Sequence, residues 1–114
     1  MATRTSPKTG HTLLLDAPGH VALLLGGEAI VRGALEAGVA FASGYPGTPS
    51  SEVTDSFAKL AKQAGLVFEY SVNEKVALEM AFAASLAGTR AICAMKHVGL
   101  RSAGDPISTI PYVG

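Results

Sequence analysis

The chain has little of the material from which disulfide scaffolds, metal sites and nucleic-acid surfaces are built. It contains one cysteine, Cys93, no tryptophan and three histidines spread over 114 residues. One cysteine excludes an internal disulfide and an iron–sulfur cluster held by this chain alone, and the histidines have no metal-ligand spacing. Only 16% of the residues are charged and the formal net charge is zero, so nothing in the composition favours a nucleic-acid partner.

Long hydrophobic runs are also missing. No apolar stretch reaches the roughly 18 to 20 residues needed to cross a bilayer, so no membrane partner is expected. The short leucine cluster near the N-terminus is interrupted by Asp16, Pro18 and His20, which argues against a secretory signal and favours a cytoplasmic chain. Yet 48% of the residues are hydrophobic. For a small domain with so few charges, this predicts that part of the surface is covered by a partner.

The apolar pattern predicts one α/β domain. Residues 1–19 mix polar residues with proline and glycine and predict a poorly ordered extension, so we expect the domain to occupy residues 20–114. Apolar runs predict strands, and amphipathic stretches between them predict helices. Strands are expected at residues 21–25, 39–43, 66–70 and 90–95, and helices at residues 28–36, after residue 48 and at residues 72–86. This alternation predicts a parallel sheet with helices on both faces.

In a parallel α/β sheet, ligands bind at the carboxyl ends of the strands. Applied to the predicted strands, this rule brings four loops to one edge: residues 26–28, 45–51, 71–75 and 96–97. The first of them, Gly26-Gly27-Glu28, lacks the G-x-G-x-x-G spacing of a dinucleotide fold. A nicotinamide or flavin cofactor is therefore disfavoured.

The loop after the second predicted strand begins with Tyr45. Pro46 and Gly47 favour a tight turn, Thr48 can cap the next helix, and Pro49 suits the first helical position. The amide groups at such a helix start attract carboxylates and phosphates. The same residues also serve ordinary capping, which the local pattern alone favours.

Glu74 is the sharpest candidate for chemistry. It follows a predicted buried strand and begins an apolar helix, where loss of water would raise the pKa of its carboxyl group. However, Ser71 and Glu74 also match the Ser-x-x-Glu capping box, in which the glutamate only bonds to the amide of the serine. The local pattern alone favours the capping box.

Other polar residues follow the last predicted strand. Lys96 and His97 can contact an anion or exchange a proton, or can merely solvate the end of the strand. Arg101 and Asp105 are one helical turn apart, and a surface ion pair is the default expectation for them.

Several ordered motifs together resemble a known family. They are Gly27-Glu28-Ala29-Ile30, Arg32 to Gly38, Gly44-Tyr45-Pro46-Gly47-Thr48-Pro49-Ser50-Ser51-Glu52, Val72 to Glu79, and Met95-Lys96-His97-Val98-Gly99-Leu100. From Val21 onward the chain is similar to the start of the alpha subunit of indolepyruvate ferredoxin oxidoreductases. These enzymes are thiamine-diphosphate-dependent 2-oxoacid:ferredoxin oxidoreductases.

The resemblance implies a thiamine-diphosphate pyrimidine-binding domain. It assigns to Glu74 the catalytic hydrogen bond to the aminopyrimidine ring, and to Tyr45, Pro46 and Gly47 the loop beside the cofactor. Thr48 is implied to face the carboxylate of the 2-oxoacid, while Lys96 and His97 line the substrate side. No metal ligand is assigned within this chain.

The chain departs from the family pattern in two respects. Residues 101–105 read Arg-Ser-Ala-Gly-Asp, where an Asn-Val-Ala-Ala-Asp-like run is expected. The family also continues far beyond residue 114, so we expect residues 20–114 to be part of a longer domain. The Mg²⁺ and diphosphate site and the [4Fe-4S] segment are expected on the remaining domains or a second subunit. Without them, we expect the fragment to be inactive.

The resemblance implies further partners: an aryl 2-oxoacid and coenzyme A as substrates, and ferredoxin as the electron acceptor of the full complex. The alternative is a non-catalytic subunit-interaction module of the same fold. Its contact surface would be the helix at residues 72–86, which is apolar on nearly every side.

Overall fold

The computed structural model describes residues 12–47 and 50–113. Three parallel strands form one sheet in the order β2-β1-β3. The strands and the longer helices alternate: α1 (Gly26–Glu36), β1 (Val39–Gly44), α2 (Ser51–Ala64), β2 (Val67–Tyr70), α3 (Glu74–Leu86) and β3 (Arg90–Ala94). Two short helices follow, α4 (His97–Ser102) and α5 (Gly104–Thr109), and short 3-10 turns lie at Thr12–Leu14 and Ile110–Tyr112.

Helices cover both faces of the sheet, as the sequence predicts. Neighbouring residues of a strand face opposite sides. On β1, Ala42 belongs to the main core with residues of α1 and α2, whereas the next residue, Ser43, bonds to the backbone of α3. Helices α1 and α2 therefore lie on one face and α3 on the other, which confirms the predicted α/β class.

The predicted helix α2 forms because its apolar residues recur at helical spacing. Val53, Phe57 and Leu60 are buried on one side, and Leu60 is 0% exposed. Gly65 ends the helix with a φ of 74°, and Gly38 follows α1 with a φ of 84°. Only glycine adopts this left-handed conformation at little cost, so both glycines stop their helices as predicted.

The strand predicted at residues 21–25 is wrong. These residues form no strand, and Val21 and Leu23 are 90% and 102% exposed. Leu24 packs against the main core, and the amide of Leu25 donates to the carboxylate of Glu28 at 2.9 Å. A short apolar run lacks a strand-specific period, and here the segment leads directly into α1. The sheet accordingly has three strands over the described residues, not four.

The core reaches further toward the N-terminus than the expected start of the domain at residue 20. Leu13 is 2% exposed and belongs to the main core. Arg32 on α1 holds this segment by donating to the carbonyl oxygens of Leu13 at 2.9 Å and Leu15 at 2.8 Å. The remainder of the expected extension, residues 1–11, lies outside the described residues.

Helix α3 is partly covered by the chain itself. Ala77 and Ala81 are buried, and the helix contacts β1, β3, α4 and α5. Leu86 at its end is 63% exposed. Among the described helices, none combines the length and apolar character that crossing a bilayer requires.

Candidate functional site

The three strands end level with one another. Gly44, the last residue of β1, pairs with Tyr70 at the end of β2 and with Ala94 at the end of β3. The amide of Ser71 then donates to the carbonyl oxygen of Gly44 at 3.0 Å. The loops that follow the three strands therefore leave from one edge of the sheet, as the strand-end rule predicts.

In the loop after β1, the carbonyl oxygen of Gly47 accepts two hydrogen bonds. The hydroxyl of Ser50 and the amide of Ser51 both donate to it, at 2.8 Å and 2.9 Å. Helix α2 begins at Ser51 with Ser50 as its N-cap, so the predicted helix start at Thr48 and Pro49 is wrong. The hydrogen bonds from Ser50 and Ser51 to Gly47 close a turn directly before the helix. The positions of Thr48 and Pro49 themselves lie outside the described residues.

The earlier part of this loop faces outward. Tyr45 is 40% exposed, Pro46 is exposed and Gly47 is half-buried. Gly44, the residue before this loop, packs closely against α2. A methyl group added at Gly44 would lie 2.5 Å from Cγ2 of buried Thr54. Sequence analysis missed Thr54, a polar residue within an apolar helix stripe.

The start of α1 reaches the start of α2 even without the fourth strand. A methyl group added at Gly27 would lie 2.6 Å from Cβ of Glu52 and 2.9 Å from its Oε1. The glycine therefore permits close packing of the two helices, and the first turn of α1, which contains Gly26, Gly27 and Glu28, lies beside the first turn of α2.

Glu74 is the first residue of α3, and the predicted capping box is wrong. The N-cap is Asn73, whose Oδ1 accepts a 2.9 Å hydrogen bond from the amide of Val76. The Ser71 hydroxyl instead donates to the carbonyl oxygen of Asn73. Asparagine is among the strongest N-cap residues and stands one position before the glutamate. The carboxylate of Glu74 is thereby released from capping.

Half-buried Glu74 makes no hydrogen bond or ion pair with any described residue. Its side chain lies against Gly99 of α4, where an added methyl group would be 2.6 Å from Cγ and 2.7 Å from Oε2 of the glutamate. Cys93 on β3 is also close: burial raises the pKa of its thiol, a hydrogen bond with Ser43 lowers that pKa, and the charge of Glu74 raises it. The Glu74 carboxylate is therefore available to bind a ligand through a hydrogen bond.

The residues after β3 lie at the same edge. Lys96 is the half-buried N-cap of α4, and His97 is the exposed first residue of that helix. The expected ion pair between Arg101 and Asp105 is wrong, because Asp105 pairs with Lys75 at 3.0 Å. The fold brings the start of α5 to the start of α3, and the sequence spacing within one helix could not reveal this.

No three histidine, cysteine, aspartate or glutamate side chains within residues 12–47 and 50–113 are grouped so as to hold a metal ion. At this edge, the Glu74 carboxylate is a hydrogen-bonding group without a partner among the described residues. A carboxyl group can hydrogen-bond to a polar nitrogen of an organic ring, such as the pyrimidine of thiamine diphosphate.

Comparison with known proteins adds a family match. The family described as pyruvate flavodoxin/ferredoxin oxidoreductase, thiamine diphosphate-binding, matches residues 32–101. That match includes the loop after β1, Glu74, Lys96 and Gly99. It covers more than half of the chain.

Individual relatives support the same family. The indolepyruvate oxidoreductase subunit IorA of Pyrococcus horikoshii is 56% identical over 107 residues, 94% of this chain and 16% of that protein. IorA of Archaeoglobus fulgidus is 50% identical over 103 residues, 87% of this chain and 16% of the relative. The 2-oxoglutarate synthase subunit KorA of the same organism is 42% identical over 77 residues, 68% of this chain and 22% of that subunit.

The chain therefore spans 16% of the length of the IorA relatives that it matches. Because these relatives are named as oxidoreductase subunits, the alternative of a non-catalytic interaction module is not favoured.

Proposed function

Because the chain belongs to the pyruvate flavodoxin/ferredoxin oxidoreductase, thiamine diphosphate-binding family, we propose that it is the N-terminal part, or a split subunit, of an indolepyruvate:ferredoxin oxidoreductase. The full enzyme converts an aryl 2-oxoacid, coenzyme A and oxidised ferredoxin into acyl-CoA, carbon dioxide and reduced ferredoxin. Support for the indolepyruvate type comes from the relatives, since IorA proteins are 56% and 50% identical and KorA is 42% identical.

One observation carries the proposal: Glu74 is a half-buried carboxylate at the carboxyl edge of the sheet with no partner among the described residues. Asn73 performs the helix capping, which leaves both oxygens of Glu74 available. When bound, thiamine diphosphate supplies a nucleophilic carbon for attack on the 2-oxoacid carbonyl. Glu74 hydrogen-bonds to a nitrogen of the pyrimidine ring and holds or accepts a proton there.

The loop after β1 forms a second wall of the proposed pocket. Tyr45, Pro46 and Gly47 would contact the pyrimidine half of the cofactor through their backbone, and the exposed tyrosine ring is available for the same contact. In this proposal Thr48 would face the 2-oxoacid carboxylate, and Lys96 and His97, at the start of α4, would line the substrate side. A cationic lysine near the pocket favours an anionic substrate.

The remaining functions are assigned to other parts of the enzyme. Mg²⁺, the diphosphate group and the [4Fe-4S] clusters bind to the rest of the longer polypeptide or to a second subunit, because one cysteine cannot hold a cluster. Ferredoxin and coenzyme A also bind outside this chain. The isolated chain is consequently inactive, and a reduced, unpaired Cys93 favours a cytoplasmic location.

The decisive experiment substitutes Glu74→Gln in the assembled oxidoreductase. We expect loss of thiamine-dependent decarboxylation, with little change in the melting temperature, because an amide keeps the shape but cannot exchange the proton. Glu79→Gln, an exposed site on the same helix, is the matched control and should keep full activity. Full activity in Glu74→Gln would show that Glu74 takes no part in the reaction.

A second experiment concerns the substrate. Thr48→Val keeps the volume of the side chain and removes its hydroxyl, so we expect a higher KM for the 2-oxoacid at similar kcat. An unchanged KM would argue against contact between Thr48 and the substrate carboxylate.

A further inference from the structure

Gly99 is buried in α4 and lies against the side chain of Glu74. A methyl group on its Cα would be 2.6 Å from Cγ, 2.7 Å from Oε2 and 2.9 Å from Cδ of that glutamate. Carbon atoms that are not bonded to one another lie about 3.5 to 4.0 Å apart at optimal separation. The position that the carboxyl group occupies is therefore available only because residue 99 has no side chain.

Backbone conformation does not explain this glycine. The glycines with positive φ in the described chain are Gly19, Gly38, Gly65 and Gly88, and Gly99 is not among them. Inside a helix, glycine is less stable than alanine by about 0.5 to 1 kcal/mol. Close approach to Glu74 is the structural feature that requires glycine here.

The residues around Gly99 pack the backbone of α4 against the rest of the domain. Ala103 between α4 and α5 is 0% exposed, and Pro106 of α5 is buried. The Lys75–Asp105 ion pair joins the start of α3 to the start of α5. Helix α4 itself packs against both α3 and α5, which holds its backbone beside the start of α3.

We propose that Gly99 is a positioning residue for Glu74: its bare Cα sets the rotamer and depth of the carboxyl group and so aims that group at the cofactor ring. The catalytic consequence rests on the function proposed above, whereas the contact itself does not. A methyl group at residue 99 displaces the end of a flexible glutamate side chain, so the fold persists while the carboxyl group moves.

Gly99→Ala in the assembled oxidoreductase tests the catalytic consequence. Displacement by about 1 Å is expected to lower kcat for decarboxylation by roughly 10- to 100-fold. The dissociation constant of thiamine diphosphate, measured without turnover, should rise as the hydrogen bond to the ring weakens. In the Glu74→Gln background, Gly99→Ala should cause no further loss, because both changes act on the same group.

Gly104→Ala is the matched control. Gly104 begins the neighbouring short helix, and an added methyl group there meets no atom within 4 Å. We expect normal kcat and cofactor affinity. A loss equal to that of Gly99→Ala would overturn the positioning role, because it would show that any glycine substitution in this region is harmful.

A thermal double-mutant cycle on the chain tests the contact independently of cofactor and catalysis. In the Glu74→Ala background the methyl group at residue 99 has room, so Gly99→Ala should raise Tm, in line with helix propensity. With Glu74 present, the change in Tm should be less favourable by roughly 2 to 4 °C. Equal changes in both backgrounds would overturn the proposal. If the coupling is present but Glu74→Gln is fully active, the proposed function fails while the contact stands.

Discussion

The hydroxyl of Ser43 donates a 2.7 Å hydrogen bond to the carbonyl oxygen of Ala77. Both residues are almost completely buried, at 2% and 0% exposure. The bond joins the central strand β1 to the first turns of α3, the helix that begins with Glu74. The position of the candidate carboxylate is thus tied to the middle of the sheet.

Ser43→Ala is expected to lower the free energy of unfolding by about 1 kcal/mol, since it removes one buried hydrogen bond and leaves a carbonyl oxygen less well satisfied. Chemical denaturation of the chain measures this change. Ser108→Ala provides the control, because the exposed Ser108 hydroxyl also donates to a helix carbonyl, that of Gly104 at 2.9 Å. Water can replace that bond, so its loss should be barely detectable; equal effects would contradict a special role for Ser43.

The pKa of the Cys93 thiol should fall when Glu74 loses its charge. Burial is the main cause that raises this pKa, and the charge of Glu74 raises it further. Glu74→Gln should therefore lower the pKa and speed alkylation at a fixed pH near 8, whereas Glu79→Gln, at an exposed site on the same helix, should leave the rate unchanged. An unchanged rate in Glu74→Gln would show that the charge of Glu74 does not act on the thiol.

Stability should decline at alkaline pH. The folded chain raises the pKa of Cys93 mainly by burial, that of Tyr70 by burial and then by its hydrogen bond to Asp55, and that of Lys75 by its bond to Asp105. Each group binds its proton more tightly when folded, so its contribution is complete below the unfolded pKa and is lost as pH rises through the folded one. Thermal unfolding from pH 7 to 11 should show a falling Tm.

Asp55→Asn offers a check on the alkaline effect. It removes a charge that raises the pKa of Tyr70, so the decline of Tm above pH 9 should become shallower than in the parent chain. An unchanged slope would mean that Asp55 contributes nothing to the alkaline loss through Tyr70.

Two leucine truncations test the fold on which the site is built. Leu60→Ala removes a 0% exposed core side chain from α2, and a cost of about 2 to 5 kcal/mol is expected from lost burial and a residual cavity. Leu23→Ala removes a side chain that is 102% exposed and should change stability by less than about 0.5 kcal/mol. Comparable costs in the two variants would indicate that residues 21–25 pack in a buried strand after all.

Local sequence patterns predicted most of the elements because their causes are local. Helix α2 follows from apolar spacing and a closing glycine, and β1 to β3 follow from short apolar runs flanked by turns. The arrangement of loops at one edge follows from parallel topology, which the alternation of strands and helices already implies. Family resemblance pointed to Glu74 and to the loop that begins with Tyr45.

Where two local patterns competed, the sequence could not choose between them. Ser71 and Asn73 are both good helix caps, and the capping box at Ser71 was the wrong choice. The run at residues 21–25 has the composition of a buried strand, but periodicity in so short a run cannot distinguish a strand from other apolar segments. Likewise, Asp105 pairs across the fold with Lys75 and not along its own helix.

The sequence by itself determined the order of elements from α1 to β3, the C-terminal ends of α1 and α2 and the identity of a carboxylate after β2, because periodicity and glycine conformation act over a few residues. Only the tertiary structure decided that Glu74 is free of its own helix cap and rests against Gly99. Those relationships join residues far apart in the chain, and they depend on how closely α4 packs against α3, a distance that no local pattern encodes.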